Sequence, residues 1–363
     1  MNKNEYSVLG LMSGTSLDGL DMAHVHFRLE AGIWSFELVN KASIDYQPEL
    51  REKLKNSLSL PGLDLLTLDK EYGAWLGSRV REFLEETGAS LDFVSSHGHT
   101  VFHQLDKKLT YQIGDGQELA NTSGQVVVNN FRTLDVSLGG QGAPLVPMGD
   151  ALLFSTYDFR LNLGGIANVS FNQGEQVIAF DITVANMLLN HLVEEFGKTY
   201  DENGSIARSG QKDKVLFQEL NSLEYCHAPF PKSTGYEWFV DEVLPVIQKS
   251  TISTEDKLCT AVHHIGYQIA AQLPTQSGLS NAKMLSTGGG TRNQFLFETI
   301  QAYLGEGIEL VNPGSDLIDY KESIVFALLG VLRMRNEPNC LASVTGASHD
   351  NCGGQIFYPG GIS

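Results

Sequence analysis

The chain has 363 residues, with 43 acidic against 25 basic side chains and a formal net charge of −18. That length exceeds the roughly 250–300 residues at which a single core stops growing, so two domains are expected. With 42% hydrophobic and 19% charged residues the composition is globular rather than disordered. The acidic balance excludes nucleic acid as a partner, because binding that polymer needs clustered Lys and Arg. The four cysteines (Cys226, Cys259, Cys340, Cys352) form no C-x-x-C pair, so no zinc knuckle or thioredoxin-like motif is expected. The N-terminus lacks the apolar core of a signal peptide, and the longest apolar run, Ile324 to Leu332, is far short of the roughly 20 residues that span a bilayer. The expectation is a cytoplasmic protein with reduced thiols and no membrane partner.

In chain order, Val8 to Asp21 reads as an apolar strand, a turn of Gly, Ser and Thr, and a second strand continuing through Met22, Val25 and Phe27. Gly14 and Gly19 allow close backbone approach, Thr15 and Ser16 add hydroxyls, and Asp18 and Asp21 are suited to holding a cation beside an anion. Two readings stand side by side here: a phosphate-binding hairpin, or an ordinary Gly-rich turn capped by its own Asp residues. A third strand, Trp34–Asn40, follows. Leucines at spacings of three or four predict helices from Pro48 to Gly88, separated at Pro61-Gly62. A short buried strand, Leu91–Ser96, runs into His97-Gly98-His99-Thr100-Val101-Phe102-His103, read as a polar strand-end loop. No Cys, Asp or Glu lies in that run to complete a metal shell around its histidines. Thr110–Ile113 and Gln125–Asn129 read as strands around a helix. The Gly- and Pro-rich stretch Leu138–Pro147 is read as a domain junction.

The opening pattern then recurs. Arg160 to Phe171 is again strand, Gly-centred turn (Gly164-Gly165) and strand, and a third strand, Gln176–Phe180, is expected to end at Asp181. A carboxylate at the carboxyl edge of a strand suits a general base; an Asp before a helix equally suits an N-cap. Further on, Lys283–Ser286 reads as a strand feeding Gly288-Gly289-Gly290 and a helix, a turn that sets amides at a helix N-terminus. The motif fails the dinucleotide pattern, since Asn293 stands where a third glycine is needed, and Gly197-Lys198-Thr199 fails as a Walker A loop because Leu192 replaces its first glycine. Asp319–Met334 is an apolar helix that contains Glu322.

Met12 to Gly19, His97-Gly98-x-Thr100-Val101-Phe102-His103, Gly139 to Pro147, Asn162 to Asn168, Pro231 to Gly235, and Gly288-Gly289-Gly290-x-x-Asn293 together resemble the anhydro-N-acetylmuramic acid kinase family. That family belongs to the actin-like ATPase superfamily, with the hexokinases and heat-shock chaperone ATPases. The resemblance implies an α/β fold of two ribonuclease-H-like domains with an ATP cleft between them. The boundaries expected are 1–135 for the first domain, with a tail at about 345–363 packing on it, and 136–344 for the second. It implies ATP and Mg2+, a sugar substrate from cell-wall recycling, and a tendency to homodimers. In the implied reaction, water opens the 1,6-anhydro bridge of anhydro-N-acetylmuramic acid at C1 while O6 takes the γ-phosphate.

Carried onto this chain, the resemblance implies Asp181 as catalytic base, with Glu322 as a helper. Nucleotide contacts fall to Gly14, Thr15, Ser16, Leu17, Asp18, Gly19, Leu20 and Asp21, to Asn162, Gly164 and Gly165, and to Gly288, Gly289, Gly290 and Asn293. Asp18 and Asp21 would hold the Mg2+, and His97, Thr100, Arg132, Lys232, Ser233 and Thr234 the sugar. The chain departs from the family where Asp181-Ile182-Thr183-Val184-Ala185-Asn186 replaces the commoner Asp-Thr-Gly-Pro-Gly-Asn, and where His99 replaces a commoner Gln. Those changes keep two alternatives in view: a kinase for a related anhydro or amino sugar, and a nucleotide-binding regulator with a degraded active site.

Overall fold

The computed structural model describes residues 3–14, 17, 19–174, 176–230, 232–274 and 281–360. Thirteen strands occur among them: β1 Glu5–Ser13, β2 Gly19–Glu30, β3 Ile33–Asp45, β4 Phe93–Ser96, β5 His99–Gln104, β6 Leu109–Ile113, β7 Val127–Asn129, β8 Phe159–Leu163, β9 Ile166–Gln173, β10 Gln176–Val184, β11 Ala282–Thr287, β12 Ile308–Val311 and β13 Gln355–Phe357. The chain divides into two compact units, 1–153 with 320–363, and 154–319.

In the first unit, β1, β2 and β3 form an antiparallel meander, while β4 and β7 run parallel to β1, giving the order β13-β7-β4-β1-β2-β3. The long helix Gly62–Thr87 covers the sheet by burying Leu65, Leu68, Tyr72, Leu76 and Val80, the stripe read from the spacing, and it closes on buried Phe83 where Leu84 is expected; Leu84 is half-buried. In the second unit the order is β10-β9-β8-β11-β12, again a meander (β8, β9, β10) followed by strands parallel to its first member. The helix Thr254–Gln272 packs its apolar side, including Leu258, Val262, Ile265 and Ile269, into that unit's core. Counting only the meander and the parallel strands of each main sheet, both read 3-2-1-4-5, the ribonuclease-H-like arrangement, so the repeated pattern in the sequence is a repeated topology.

Three expectations change. The boundaries move, because the stretch 136–153 and the chain from Tyr320 onward belong to the first unit. The reason is packing of the helix Ser315–Arg335 on β1: a Cβ on Gly10 would lie 2.0 Å from the Ser323 carbonyl oxygen, and the Ser95 hydroxyl donates to the Phe326 carbonyl. The loop Leu138–Pro147 is therefore internal to the first unit, not a junction. The tail does join that unit, with β13 pairing antiparallel to β7. Lastly, His97–His103 is no loop: after the turn at Gly98, β5 pairs with β6 in a separate ribbon.

Candidate active site

In the second unit β10 does not stop at Asp181 but runs on to Val184. Asp181 pairs with Asn168, while Thr183 pairs with the next residue, Ala167, so Ile182 is an extra residue in a β-bulge. Bulges bend a strand and re-aim its side chains. The helix that follows, Asn186–Val193, takes Ala185 as its N-cap, which removes the capping role from Asp181. Asp181 is half-buried, and its Oδ2 accepts from the Ser233 hydroxyl (2.9 Å) and the Thr234 amide (3.0 Å). Its backbone is held as well: its N–H donates to the Lys232 carbonyl (3.1 Å) and its carbonyl accepts from the Tyr225 hydroxyl (2.8 Å). Burial raises the Asp181 pKa above the usual carboxylate range, opposed by the Thr234 and Ser233 hydrogen bonds. A raised pKa brings a carboxylate toward the basicity that general-base work needs.

The predicted sugar loop thus has a definite local task. Ser233 and Thr234 grip the Asp181 carboxylate, and the Lys232 ammonium donates to the Tyr225 carbonyl (2.7 Å) while lying 4.4 Å from that ring's centre. Burial lowers the Lys232 pKa.

Sheet register explains what stands beside Asp181. Asp181 pairs with Asn168, Asn168 with Asn162, and Asn162 with Thr287. Paired residues share a face, so these four make one polar row across four strands. The row ends at the triple glycine. Gly288 has φ +81°, and a Cβ there would meet the Asn162 side-chain oxygen at 2.5 Å; a Cβ on Gly290 would meet Leu163 Cβ at 2.8 Å. Glycine is needed at both positions for the two turns to approach. The Gly164 and Gly165 carbonyls accept from the amides of Asn186, Ala185 and Met187, and the Asn186 side chain donates to the Leu163 carbonyl (3.1 Å). Asn162, Gly164, Gly165, Gly288, Gly289, Gly290 and Asn186 therefore form one cluster. Asn293 stands apart in role: its side-chain oxygen accepts from the Leu296 amide and caps the helix Gln294–Leu304.

In the first unit, Thr15, Ser16 and Asp18 lie outside the described residues. Gly14 accepts from the Leu17 amide (3.3 Å), Leu17 takes φ +59°, Gly19 pairs with Asp45, and Leu20 is a core side chain. Asp21 sits on β2 opposite Met12, and its carboxylate accepts from the Ser43 hydroxyl. Arg132 is turned inward: its Nε and Nη2 donate to His97 Nε2 (3.1 and 2.9 Å), and Nη1 donates to the Gly142 carbonyl (2.7 Å). Since His97 Nδ1 donates to the Gly98 carbonyl (2.9 Å), His97 is the neutral Nδ1–H tautomer. Burial and the Arg132 charge push the His97 pKa far below its ordinary value, and burial lowers that of Arg132 to about 10. Thr100 is half-buried on β5 opposite Gln112. Glu322 is solvent-exposed on its helix, yet its pKa is raised, first by lost hydration and then by Asp21 and Asp150, against Lys321 and Arg132.

The predicted residues thus fall into two groups, one in each unit. Tyr225 is absent from the sequence reading, while Asn168 and Asn186 stand inside the quoted motifs with no role given them; strand register is what sets Asn168 beside Asp181. Among the described residues no cluster of three or more His, Cys, Asp or Glu forms a metal shell. Asp21 fits Mg2+ as a single carboxylate ligand, since that ion keeps several waters and takes one or two carboxylates plus substrate phosphates. Among the described residues no helix is long and apolar enough to cross a membrane.

Two ribonuclease-H-like units, the second inserted in the chain of the first and each opening on an antiparallel meander, define an actin-like ATPase or sugar-kinase fold. Residues 6–359 match the model of the family described as anhydro-N-acetylmuramic acid kinase, and the chain belongs to that family. It is similar to the anhydro-N-acetylmuramic acid kinases of Shewanella sediminis (35% identity over 98% of this chain and 99% of the relative) and Aliivibrio fischeri (34%, over 97% and 98%). The relative of the same name from Bacillus cereus is 32% identical over 97% and 99%.

Proposed function

We propose that the protein is an ATP-dependent kinase that hydrolytically opens 1,6-anhydro-N-acetylmuramic acid and phosphorylates O6, yielding N-acetylmuramate 6-phosphate and ADP. The observation that carries this reading is Asp181, a raised-pKa carboxylate on a bulge, held through one oxygen by Ser233 and Thr234. Its Oδ1 has no hydrogen-bond partner among the described residues, as a base that must accept a proton requires. Asp181 takes a proton from water as its oxygen bonds to C1. The C1–O6 bond breaks, O6 takes the γ-phosphoryl group of ATP, and ADP leaves. Asp181 then passes its proton to solvent.

The Gly164-Gly165 and Gly288–Gly290 turns hold the nucleotide by close backbone approach, and the hairpin of Gly14 to Asp21 serves the phosphates. Asp21 would hold a Mg2+ ion, which would supply charge neutralisation on those phosphates. Glu322 and the Arg132–His97 pair serve the sugar side, with Arg132 acting through its hold on His97. Lys232 acts through the loop that orients Asp181.

The test is ADP release with Mg-ATP across anhydro and reducing amino sugars. Asp181→Asn is expected to lose roughly 10²- to 10⁴-fold in turnover with the anhydro sugar. Near-normal turnover in that variant refutes the base role. ATP binding without sugar-dependent ADP release in the unaltered protein refutes the kinase reading in favour of a nucleotide-binding regulator.

A further inference from the structure

The bulge that sets Asp181 is tied into a closed circuit of side-chain hydrogen bonds inside the second unit. Thr183, fully buried, lies 3.1 Å through its Oγ1 from Nε2 of His264, also fully buried. His264 Nδ1 is 2.9 Å from the Asn221 side-chain oxygen. That oxygen can only accept, because the Asn221 amide nitrogen donates to the Phe217 carbonyl (2.7 Å). His264 is therefore the Nδ1–H tautomer, and the Thr183 hydroxyl donates to its Nε2. Gln268 donates to the same Asn221 oxygen (2.7 Å), and Gln272 donates to the Gln268 side-chain oxygen. The Gln272 amide also reaches the Ile182 carbonyl at 3.4 Å. The circuit starts at Thr183 and ends at Ile182, the two residues of the bulge beyond Asp181. His264, Gln268 and Gln272 are spaced by four on the helix Thr254–Gln272, so one helix face supplies three of its members.

An apolar residue at position 264 or 183 would fill these places in a core already dense with Leu, Ile and Val. Packing alone does not call for a chain of five polar side chains. A bulge, however, gives up ladder bonds, and its backbone needs other partners.

We propose that Thr183 and His264 are positioning residues for Asp181: they fix the bulge at Ile182 and thereby the angle at which the carboxylate meets Ser233 and Thr234. This rests on the reading of Asp181 as the base. His264 stays neutral across the working range of the protein, since burial lowers its pKa to about 3, so its Nε2 remains an acceptor. The titratable neighbours of Asp181 on the packed elements are Tyr225, whose hydroxyl is engaged with the Asp181 carbonyl, and Lys232, whose ammonium is engaged with the Tyr225 carbonyl. Neither replaces Ser233 and Thr234 as partners of the carboxylate.

The experiment uses the full chain labelled with carboxyl ¹³C-aspartate, the Asp181 signal being assigned by its loss in Asp181→Asn. In Thr183→Val the carboxylate is expected to sit worse against its two donors, so its pKa moves up, because hydrogen bonds to the charged form are what lower it. The turnover number per folded molecule is expected to fall about 10- to 100-fold, as misplacement of about 1 Å does elsewhere, with KM for Mg-ATP unchanged. Thr183→Ser restores both. Should Thr183→Val fail to fold, Gln272→Ala, which cuts the other end of the circuit on a half-buried residue, is read in the same way. An Asp181 titration that is the same in the unaltered protein, Thr183→Val and Gln272→Ala overturns the proposal. A shifted titration supports it even where Asp181→Asn keeps full activity, an outcome that refutes only the base role.

Discussion

Asp135 offers the sharpest test of how the first unit holds Arg132 and the Gly-rich loop beside it. Its carboxylate is fully buried and accepts four bonds: from the Gly142 amide (2.7 Å), the Thr345 hydroxyl (2.8 Å), the Asn351 amide group (2.8 Å) and the Cys340 thiol (3.0 Å). One side chain thus ties the Gly-rich loop Leu138–Pro147 to the segment Cys340–Asn351, and the same loop presents the Gly142 carbonyl to Arg132. Asp135→Ala orphans four buried donors. Each unsatisfied buried group costs about 1–3 kcal/mol, and some relax, so a net loss of about 4 kcal/mol is expected. For a unit of this size about 2–4 °C of Tm accompanies each kcal/mol, which predicts a fall of about 8–16 °C. Asp135→Asn keeps an acceptor for the three side chains on Oδ1 but turns an NH2 toward the Gly142 amide. It loses one bond and is expected to cost about 2 kcal/mol. Calorimetry with the transition of each unit resolved measures both variants. A fall of under about 3 °C in Asp135→Ala, or an Asn variant as damaged as the Ala variant, refutes the reasoning.

Ser233→Ala removes one of the two donors to the Asp181 carboxylate, so its pKa rises further and the acid limb of the turnover profile moves up by about one pH unit; an unmoved limb speaks against that contact. Gly10→Ala forces a Cβ onto the Ser323 carbonyl and is expected to cost more than about 3 kcal/mol in a urea titration, whereas Gly62→Ala, with nothing within 4 Å, stays within about 0.5 kcal/mol. His264 sets a pH dependence of stability. Its folded pKa of about 3 lies below the unfolded value of about 6.5, so between those values the unfolded chain binds the proton that the folded chain refuses. Stability therefore rises with pH across that window, and is lost as the pH falls, by about 1.4 kcal/mol per unit from this one residue. His264→Gln is expected to flatten the slope between pH 6 and 4 by that amount, and parallel slopes refute it.

The meanders, the helix stripe from Leu65 to Val80 and the echo of the first Gly turn at Gly164-Gly165 were legible because local period and turn chemistry specify them. The ends of elements were less so. Val184 and Ala185 carry no stop signal distinct from Phe180 and Asp181, so the extension of β10 through the bulge rests on pairing with Ala167 and Ile166, which are remote in sequence. The domain boundary failed for a related reason. The Gly- and Pro-rich run 138–147 has the letters of a linker, but Asp135 fastens it inside the first unit through residues some two hundred positions away. The circuit through Thr183, Asn221, His264, Gln268 and Gln272 was invisible because its members lie on three separate elements, and a lone His on an apolar helix face signals nothing by itself.

The two meanders place their carboxylates at different positions of one topology. Relative to the ends of their first strands, Met12 in β1 corresponds to Asn162 in β8, each the residue before the strand's last. Register then makes Asp21 the counterpart of Asn168, and Ser43 the counterpart of Asp181. In the first unit the carboxylate is on the middle strand of the meander and its outer neighbour, Ser43, donates to it. In the second the carboxylate is on the outer strand, next to a neutral amide. Both carboxylates accept from a serine hydroxyl, but Ser43 comes from the neighbouring strand of the sheet whereas Ser233 comes from a loop outside it, and burial raises the Asp181 pKa. Exchanging the second pair, Asp181→Asn with Asn168→Asp, keeps the charge of the row but moves it one strand inward, away from Ser233 and Thr234. Turnover that survives the exchange would mean that charge in the row suffices; loss as deep as in Asp181→Asn alone is expected, because the bulge serves only position 181.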